Sequence, residues 1–215
     1  MAIFPQGKTT LEGELTLFAS RWDPLLFGLD YNHSFENLLR ALGTQYYVIS
    51  PGEDTGVNLF QLDDSPALRS HLFDMVLTMA GGGSEAEQRQ IRYSIDAVME
   101  HSVVENRGMS LLIQNIAPTE DENSLYVRLA KWCRICPDGS SGRYAWVSDA
   151  AINQFDPKKF RRLAFDCTRI MQKSFFMKNP EVMEIFLNNM FFLKRLMHES
   201  QPANMLLNII AECWI

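Results

Sequence analysis

The chain has 215 residues, enough for one sizeable α/β domain with a buried core, and 47% of them are hydrophobic. Its net charge is −6 without a basic run, so electrostatics gives no support for binding nucleic acid or an anionic membrane. Residues 1–8 do not resemble a signal peptide, and no window reaches the ~18 apolar residues that a membrane span needs, so we expect a soluble protein without a transmembrane segment.

Helical patterns alternate along the chain with short apolar runs typical of buried strands. The predicted helices cover residues 9–20, 34–42, 65–80, 84–103, 122–132 and 180–197. The predicted strands cover residues 24–30, 45–50, 143–147 and 163–166, together with the strand-like end of segment 204–212. This alternation favours a mainly parallel sheet flanked by helices, and no linker is long enough to divide the chain. We predict one α/β domain over residues 1–215.

Local signals mark several helix starts and one break. Ser34 or Asn32 is expected to cap the second helix, and Ser65 followed by proline marks the start of the third. The triple glycine at 81–83 could be mistaken for a phosphate loop. It lies between two predicted helices rather than after a strand, so we expect a flexible connector there.

Cys133 and Cys136 have the C-x-x-C spacing of a zinc half-site or a redox pair. A structural zinc site needs four ligands, usually with a second close pair, whereas Cys167 and Cys213 are far apart in sequence. Reduced cysteines at a helix end are the favoured interpretation, with a metal or redox role as the alternative.

The segment that carries chemistry is Gly7-Lys8-Thr9-Thr10, directly before the first predicted helix. In a phosphate-binding loop, backbone amides at a helix N-terminus hold the phosphates, the lysine reaches the β- and γ-phosphates, and the following hydroxyl holds Mg²⁺. The full pattern begins with a glycine, and here Ala2 stands at that position. By itself, a Gly-Lys-Thr sequence such as residues 7–9 also arises by chance in unrelated proteins.

Residues 206–212 resemble the strand that carries the acidic residues of such enzymes. Ala211 stands where an aspartate would hold Mg²⁺ through water, and Glu212 stands where many ATPases place the base that polarises the attacking water. The alternative interpretation is a core strand that happens to end in glutamate.

An ordered series of motifs between these two segments resembles the VirB/TrbE/CagE family of type IV secretion and conjugation ATPases, of which the fourth VirB component is a member. The resemblance covers nearly the whole chain in collinear order. It rests on residues 7–10, 27–30, 41–43, 52–60, 87–91, 107–112, 129–132, 142–146, 165–168 and 211–214. Within residues 52–60, the family pattern usually has a proline after the asparagine, and here Leu59 follows Asn58 instead.

This resemblance implies a RecA-like P-loop NTPase fold with a helical insertion at about 65–135, and binding of ATP and Mg²⁺. It implies hexamers that cooperate with sibling ATPase subunits and inner-membrane channel subunits at the cytoplasmic face of the inner membrane. Matching the motifs makes Gly7, Lys8, Thr9 and Thr10 the phosphate-binding residues, with Thr9 also the Mg²⁺ ligand. The same matching makes Glu212 the candidate base that polarises the attacking water. Asp30, at a strand end, is a candidate nucleotide contact or a strand-end cap.

Departures from the family pattern predict impaired catalysis. The domain is expected to be incomplete at both ends, because the strand that precedes a phosphate loop and the strands that follow residue 214 do not occur in the sequence. Ala211 also lacks the Mg²⁺-positioning carboxylate, and losing preorganised charge costs orders of magnitude in rate. We therefore expect little ATP hydrolysis. The alternative function is an inactive fragment or interaction module that binds channel or ATPase subunits.

Overall fold

The computed structural model describes residues 8–119, 121–201 and 206–210. Four strands form one parallel sheet in the order β2-β3-β1-β4. They are β1 Leu25–Asp30, β2 Gln45–Val48, β3 Arg162–Asp166 and β4 Leu206–Ile210. The predicted α/β class with a parallel sheet is confirmed.

The described residues also form α-helices and short 3-10 helices. The α-helices are α1 Lys8–Ser20, α2 Glu36–Ala41, α3 Pro66–Met79, α4 Glu85–Met99, α5 Met109–Leu112, α6 Leu125–Ala130, α7 Lys173–Phe176 and α8 Pro180–Ser200. The 3-10 helices are Leu59–Gln61, Val104–Asn106, Ile113–Asn115 and Ala145–Val147.

The chain divides into two compact units. The first comprises residues 1–50, 157–178 and 193–215 and contains the sheet with α1, α2 and α7. The second comprises residues 51–156 and 179–192 and contains α3 to α6 with the first part of α8. The predicted helical insertion at about 65–135 lies within the sequence range of the second unit. A single domain over 1–215 stays a prediction.

The central strands β1 and β3 are buried on both faces, β1 along its whole length and β3 after its first residue, as their apolar sequences predict. On one face, Leu26, Tyr46, Ala164 and Ile209 form a core cluster with Leu39 and Phe35 from α2 and the residue before it. Gly28 lies on this face, where a Cβ atom would come within 3.0 Å of the Ala164 Cβ and 3.7 Å of a Leu39 methyl. The glycine therefore lets α2 approach the sheet closely.

The helix start at Ser65 behaves as its sequence signal predicts, and the structure shows a further cap at the start of α4. The Ser65 hydroxyl accepts the Leu68 N–H at 3.1 Å. Ser84 and Glu87 form a reciprocal capping box at the start of α4. The glycines at 81–83 connect α3 to α4, as predicted, with Gly81 and Gly82 at positive φ.

Two local predictions are wrong. Neither Ser34 nor Asn32 caps α2: its first flanking residue is Phe35, and the Ser34 hydroxyl instead donates to the Tyr31 carbonyl at 2.6 Å. Residues 143–147 form no strand but a 3-10 turn. There the Tyr144 N–H donates to the Lys131 carbonyl at 2.8 Å, so tertiary contacts override the β propensity of the segment.

Candidate nucleotide site and a carboxylate cluster at the sheet edge

The predicted phosphate-binding residues lie at the start of α1. This 13-residue helix begins at Lys8, so Lys8, Thr9 and Thr10 form its first turn, and the Thr10 side chain is exposed. The N-terminus of a helix presents free N–H groups and a partial positive charge, which suit a phosphate. Gly7 lies outside the described residues, so phosphate binding by these four residues stays a prediction.

The predicted catalytic residue follows β4. This strand ends at Ile210 and pairs with β1 in parallel register. Glu212 lies outside the described residues, as do Ala211 and Ala2, so their roles stay predictions as well.

Two buried carboxylates end neighbouring strands of the sheet. Asp30 and Asp166 are register partners at the carboxyl ends of β1 and β3, and they are 1% and 0% exposed. The chain leaves these two strands in opposite directions along the sheet, since β1 leads to β2 and β3 leads to β4. Open α/β sheets bind ligands outside the carboxyl ends of such strands.

Tyr46 of β2 links the two carboxylates. Its hydroxyl donates to Asp30 Oδ2 at 2.7 Å and lies 3.4 Å from Asp166 Oδ2. Burial, followed by the hydrogen bond to Asp30, raises the pKa of Tyr46 above that of an exposed tyrosine. The phenol is therefore a neutral donor throughout the physiological pH range.

The carboxylate of Asp30 also organises the loop that follows β1. Its oxygens accept the N–H of Tyr31 at 2.8 Å and of Phe35 at 3.0 Å. Between them, Asn32 and His33 adopt left-handed conformations with φ of 59° and 54°. Non-glycine residues rarely adopt this conformation, and its strain is commonly found at functional loops.

Asp166 binds the same loop from the neighbouring strand. The Thr168 hydroxyl donates to Asp166 Oδ2 at 2.9 Å and accepts the Asn32 N–H at 2.7 Å. The His33 N–H lies 3.3 Å from the same carboxylate oxygen. Residues that follow two different strands are therefore joined into one polar cluster.

The imidazole of His33 lies at the open side of this cluster. Its Nδ1 is 3.1 Å from Glu36 Oε2 and 3.6 Å from Asp166 Oδ2, and its side chain is 46% exposed. Hydrogen bonding from Arg40, with a smaller effect of His33, lowers the pKa of Glu36 below its ordinary value. The carboxylates thus orient one edge of the ring and leave it accessible to solvent.

Sequence reasoning found only part of this cluster. The sequence predicts a site role for Asp30, whereas it assigns none to Tyr46, Asp166 or Thr168. The available signal was the short apolar run 163–166 that ends in an acid, since parallel strands bring their carboxyl ends to one edge of the sheet. Strand order, which the sequence does not state, is what makes Asp30 and Asp166 neighbours.

Several motifs of the family resemblance are structural in the second unit. The Asn58 side chain donates to the carbonyls of Arg107 and Ala150 and accepts the Phe60 N–H. Asp149 is buried and accepts four hydrogen bonds, from the backbone of Met109, Ser110 and Arg134 and from the Ser110 hydroxyl. Burial nevertheless raises the pKa of Asp149.

Arg128 and Trp132 connect α6 to the end of α3. The Arg128 guanidinium donates to the carbonyls of Ala80 and Gly82 and pairs with Glu87. The Trp132 indole donates to the Met79 carbonyl at 3.1 Å. These contacts hold the end of α3 and the first turn of α4 against α6 and the residues that follow it.

Cys133 and Cys136 follow α6 as buried free thiols. The Cys133 sulfur lies 3.4 Å from the carbonyl oxygens of Met109 and Leu129, so its one S–H can donate to either, and burial raises its pKa well above that of an exposed cysteine. A raised pKa suppresses the thiolate that metal binding and disulfide exchange require. Across the part of the chain that the structure describes, no group of three or more His, Cys, Asp and Glu side chains is arranged to hold a metal ion.

None of the helices in the described ranges is long and apolar enough to cross a membrane.

Comparison with known proteins gives related sequences but no matching protein-family model. The chain is 28% identical over 153 residues to the type IV secretion system protein VirB4 of Brucella abortus, covering 67% of this chain and 18% of that protein. It is 28% identical over 191 residues to the type IV secretion system protein PtlC of Bordetella pertussis, covering 86% and 22%. The matched region thus spans about a fifth of these relatives. These matches support the predicted resemblance of the chain to the VirB4-like proteins of bacterial type IV secretion systems.

Proposed function

We propose that this chain is an ATP- and Mg²⁺-binding part of the motor that energises pilus assembly or substrate transfer in a type IV secretion system. The observation that carries the proposal is the start of α1 at Lys8, directly after Gly7, in a relative of VirB4 and PtlC. The parallel sheet flanked by helices is compatible with a RecA-like P-loop domain carrying a helical insertion at about 65–135.

The proposed roles follow the P-loop chemistry. Gly7 and Thr10 bind phosphate through the helix N-terminus, Lys8 contacts the β- and γ-phosphates, and Thr9 holds Mg²⁺. Glu212 is the proposed base. Asp30 is the weakest assignment, because its carboxylate already accepts hydrogen bonds from Tyr31, Phe35 and Tyr46.

We further propose that hydrolysis is impaired. Alanine at 211 supplies no carboxylate to position Mg²⁺, and alanine at 2 hinders the tight backbone path of the loop. The subunit would act beside sibling ATPase subunits, as in a hexamer, and beside channel subunits at the cytoplasmic face of the inner membrane. Within such an assembly, nucleotide binding rather than turnover would be its contribution.

Titration of the full chain with a fluorescent ATP analogue, with and without Mg²⁺, tests the proposal. We expect saturable, Mg²⁺-enhanced binding that Lys8→Ala weakens at least about tenfold, which corresponds to about 1.4 kcal/mol. Lys178→Ala is the matched control, because this lysine is exposed and lies outside the proposed site. Binding that is absent, or equally affected by both substitutions, would rule out the nucleotide site.

Phosphate release from ATP provides the second arm. We expect a low rate in the unmodified chain and a gain on Ala211→Asp, because that substitution restores the missing carboxylate. A high rate that Glu212→Gln leaves unchanged would contradict the assigned roles.

An interaction module that binds secretion subunits is the second candidate function. It is favoured by large apolar side chains that α1 and the residues after it expose to solvent. Stable, Lys8-independent association with a secretion subunit, without ATP binding, would support this function over the first.

A further inference from the structure

One nitrogen of the His33 imidazole is held by carboxylates and the other is not. The Nδ1 atom lies 3.1 Å from Glu36 Oε2 and 3.6 Å from Asp166 Oδ2, so a hydrogen on Nδ1 points at negative charge. Within the described ranges, no hydrogen bond or ion pair engages the Nε2 atom of this ring. Because the side chain is 46% exposed, Nε2 is available to a ligand.

The two groups that hold this ring are themselves fixed. Arg40 donates to Glu36 Oε1 at 2.9 Å, which leaves Oε2 for the imidazole. Asp166 is fully buried, and its Oδ2 also accepts the Thr168 hydroxyl at 2.9 Å. The imidazole is therefore oriented before any ligand binds, which lowers the entropic cost of a contact.

The helices α1 and α2 cross the sheet in the same direction. The Phe35 N–H, just before α2, donates to Asp30 at the carboxyl end of β1. The other end of α2 lies at the amino edge of the sheet, where the Leu42 carbonyl accepts a hydrogen bond from Arg162, the first residue of β3. Asp23, three residues after α1, pairs with the same arginine at 3.0 Å, so α1 also ends at the amino edge.

The contact between the two helices sets their relative height above the carboxyl edge. A Cβ atom at Gly13 would lie 3.4 Å from a Leu38 methyl group, so these two residues are roughly level. Lys8 precedes Gly13 by about 7.5 Å along the helix axis, whereas Glu36 precedes Leu38 by about 3 Å. The first turn of α1 thus extends past the start of α2 and lies beside the loop that carries His33.

The strand that leads to the proposed base ends beside the same loop. Ile210, the last residue of β4, is the register partner of Leu29, and Asp30 then ends β1. In a P-loop enzyme the base acts at the terminal phosphate, whereas the helix start also holds the β-phosphate. The imidazole therefore lies on the side of the proposed site where the terminal phosphate is expected.

We propose that His33 binds the terminal phosphate of ATP held at the start of α1, donating from Nε2 while Glu36 and Asp166 hold Nδ1. An imidazolium carries a hydrogen on each nitrogen, so it can donate on both sides at once. A hydrogen bond between charged groups is also stronger than a neutral one. The inference rests on the proposed nucleotide site and adds to it a residue that distinguishes ATP from ADP.

A purely structural role for His33 predicts different behaviour. The ring would then only stabilise the start of α2 through its contact with Glu36. Its replacement would change the free energy of unfolding but not the ratio of the affinities for ATP and ADP. That ratio is therefore the quantity to measure.

Competition against a fluorescent nucleotide, with the full chain and Mg²⁺, gives the affinities for ADP and for the β,γ-imido analogue of ATP. We expect His33→Gln to weaken binding of the ATP analogue at least about tenfold and to leave ADP within about twofold. His33→Arg should recover most of the affinity, because a guanidinium also donates to phosphate and carries the charge. His198→Gln is the matched control, since this exposed histidine belongs to α8 and not to the loop, and it should change neither affinity.

The outcomes separate this inference from the proposed function. No binding of either nucleotide, or binding that Lys8→Ala leaves unchanged, would overturn both. Lys8-dependent binding in which His33→Gln reduces both affinities equally, or neither, would overturn the role of His33 alone. The same holds if His33→Arg binds the ATP analogue no better than His33→Gln. Urea unfolding followed by circular dichroism confirms that each variant is folded under the conditions of the titrations.

Discussion

The Tyr46 hydroxyl lies 2.7 Å from Asp30 Oδ2, so that a residue of an edge strand holds the carboxylate that ends β1. Asp166, which ends the strand between them, lies 3.4 Å from the same hydroxyl. The side chain of Tyr46 and both aspartates point to the face of the sheet that carries α2. The phenol therefore links β2 to the carboxyl ends of β1 and β3, beside the strained loop at Asn32 and His33.

Replacing Tyr46 by phenylalanine should destabilise the first unit by about 1–3 kcal/mol, because it leaves the buried Asp30 carboxylate without one of its donors. Urea unfolding followed by circular dichroism measures the change. Tyr93→Phe is the control, since Tyr93 is 69% exposed, and it should change the free energy of unfolding by less than about 0.5 kcal/mol. Equal stabilities of the two variants would show that the hydroxyl contributes nothing.

Gly142→Ala should destabilise the second unit by at least about 2 kcal/mol. An added Cβ atom would lie 2.3 Å from the Ala130 carbonyl oxygen and 2.4 Å from the Lys131 carbonyl carbon, and backbone cannot move aside as a side chain can. In contrast, an added Cβ atom at Gly13, in the interior of α1, would make only an ordinary contact of 3.4 Å with a Leu38 methyl group of α2, so Gly13→Ala should stabilise by about 0.4–1 kcal/mol. Thermal unfolding of both variants checks the opposite signs, and a neutral Gly142→Ala would contradict the close backbone approach.

His71 should make stability depend on pH. Burial lowers its pKa, with smaller opposing effects from the hydrogen bond to Asn189 and from Asp74. The unfolded chain then binds the proton more readily, so stability is complete above the unfolded pKa of about 6.5 and falls as pH decreases towards the lower folded value. Urea unfolding at about pH 7.5 and 5.5 measures the loss.

The matched controls for this pH effect are two histidine replacements. His71→Gln should reduce the difference in stability between the two pH values, whereas His198→Gln should not, because His198 is exposed. An unchanged difference in His71→Gln would assign the pH dependence to other groups.

The thiols of Cys133, Cys136 and Cys167 should not react with a thiol reagent in the folded protein, because all three are buried and the pKa of Cys133 is raised by burial. Kinetics with Ellman's reagent, with and without urea, test this expectation in a Cys213→Ser variant. Rapid labelling without urea would instead indicate an accessible thiol pair and revive the redox interpretation.

Much of the local structure was predictable because it depends on neighbours in sequence. The capping box at Ser84 and Glu87 and the helix start at Ser65 rest on side chains that reach backbone only three residues away. The apolar run at 24–30 likewise predicted a buried strand, since both faces of a parallel sheet are covered. Residues 143–147 show the limit of such signals, because the hydrogen bond from the Tyr144 N–H to the Lys131 carbonyl ties the segment into a turn.

The sequence by itself determined the alternation of strands and helices, the location of Lys8 at a helix start and the relationship to type IV secretion proteins. These properties depend on periodicity, local chemistry and motif order. Only the tertiary structure decided that Asp30, Tyr46 and Asp166 meet and that α1 exposes large apolar side chains such as Leu11 and Leu15 to solvent. Both follow from strand order and helix packing, which join residues far apart in the chain, such as Asn32 and Thr168 at 136 positions, and leave no mark on their local sequence.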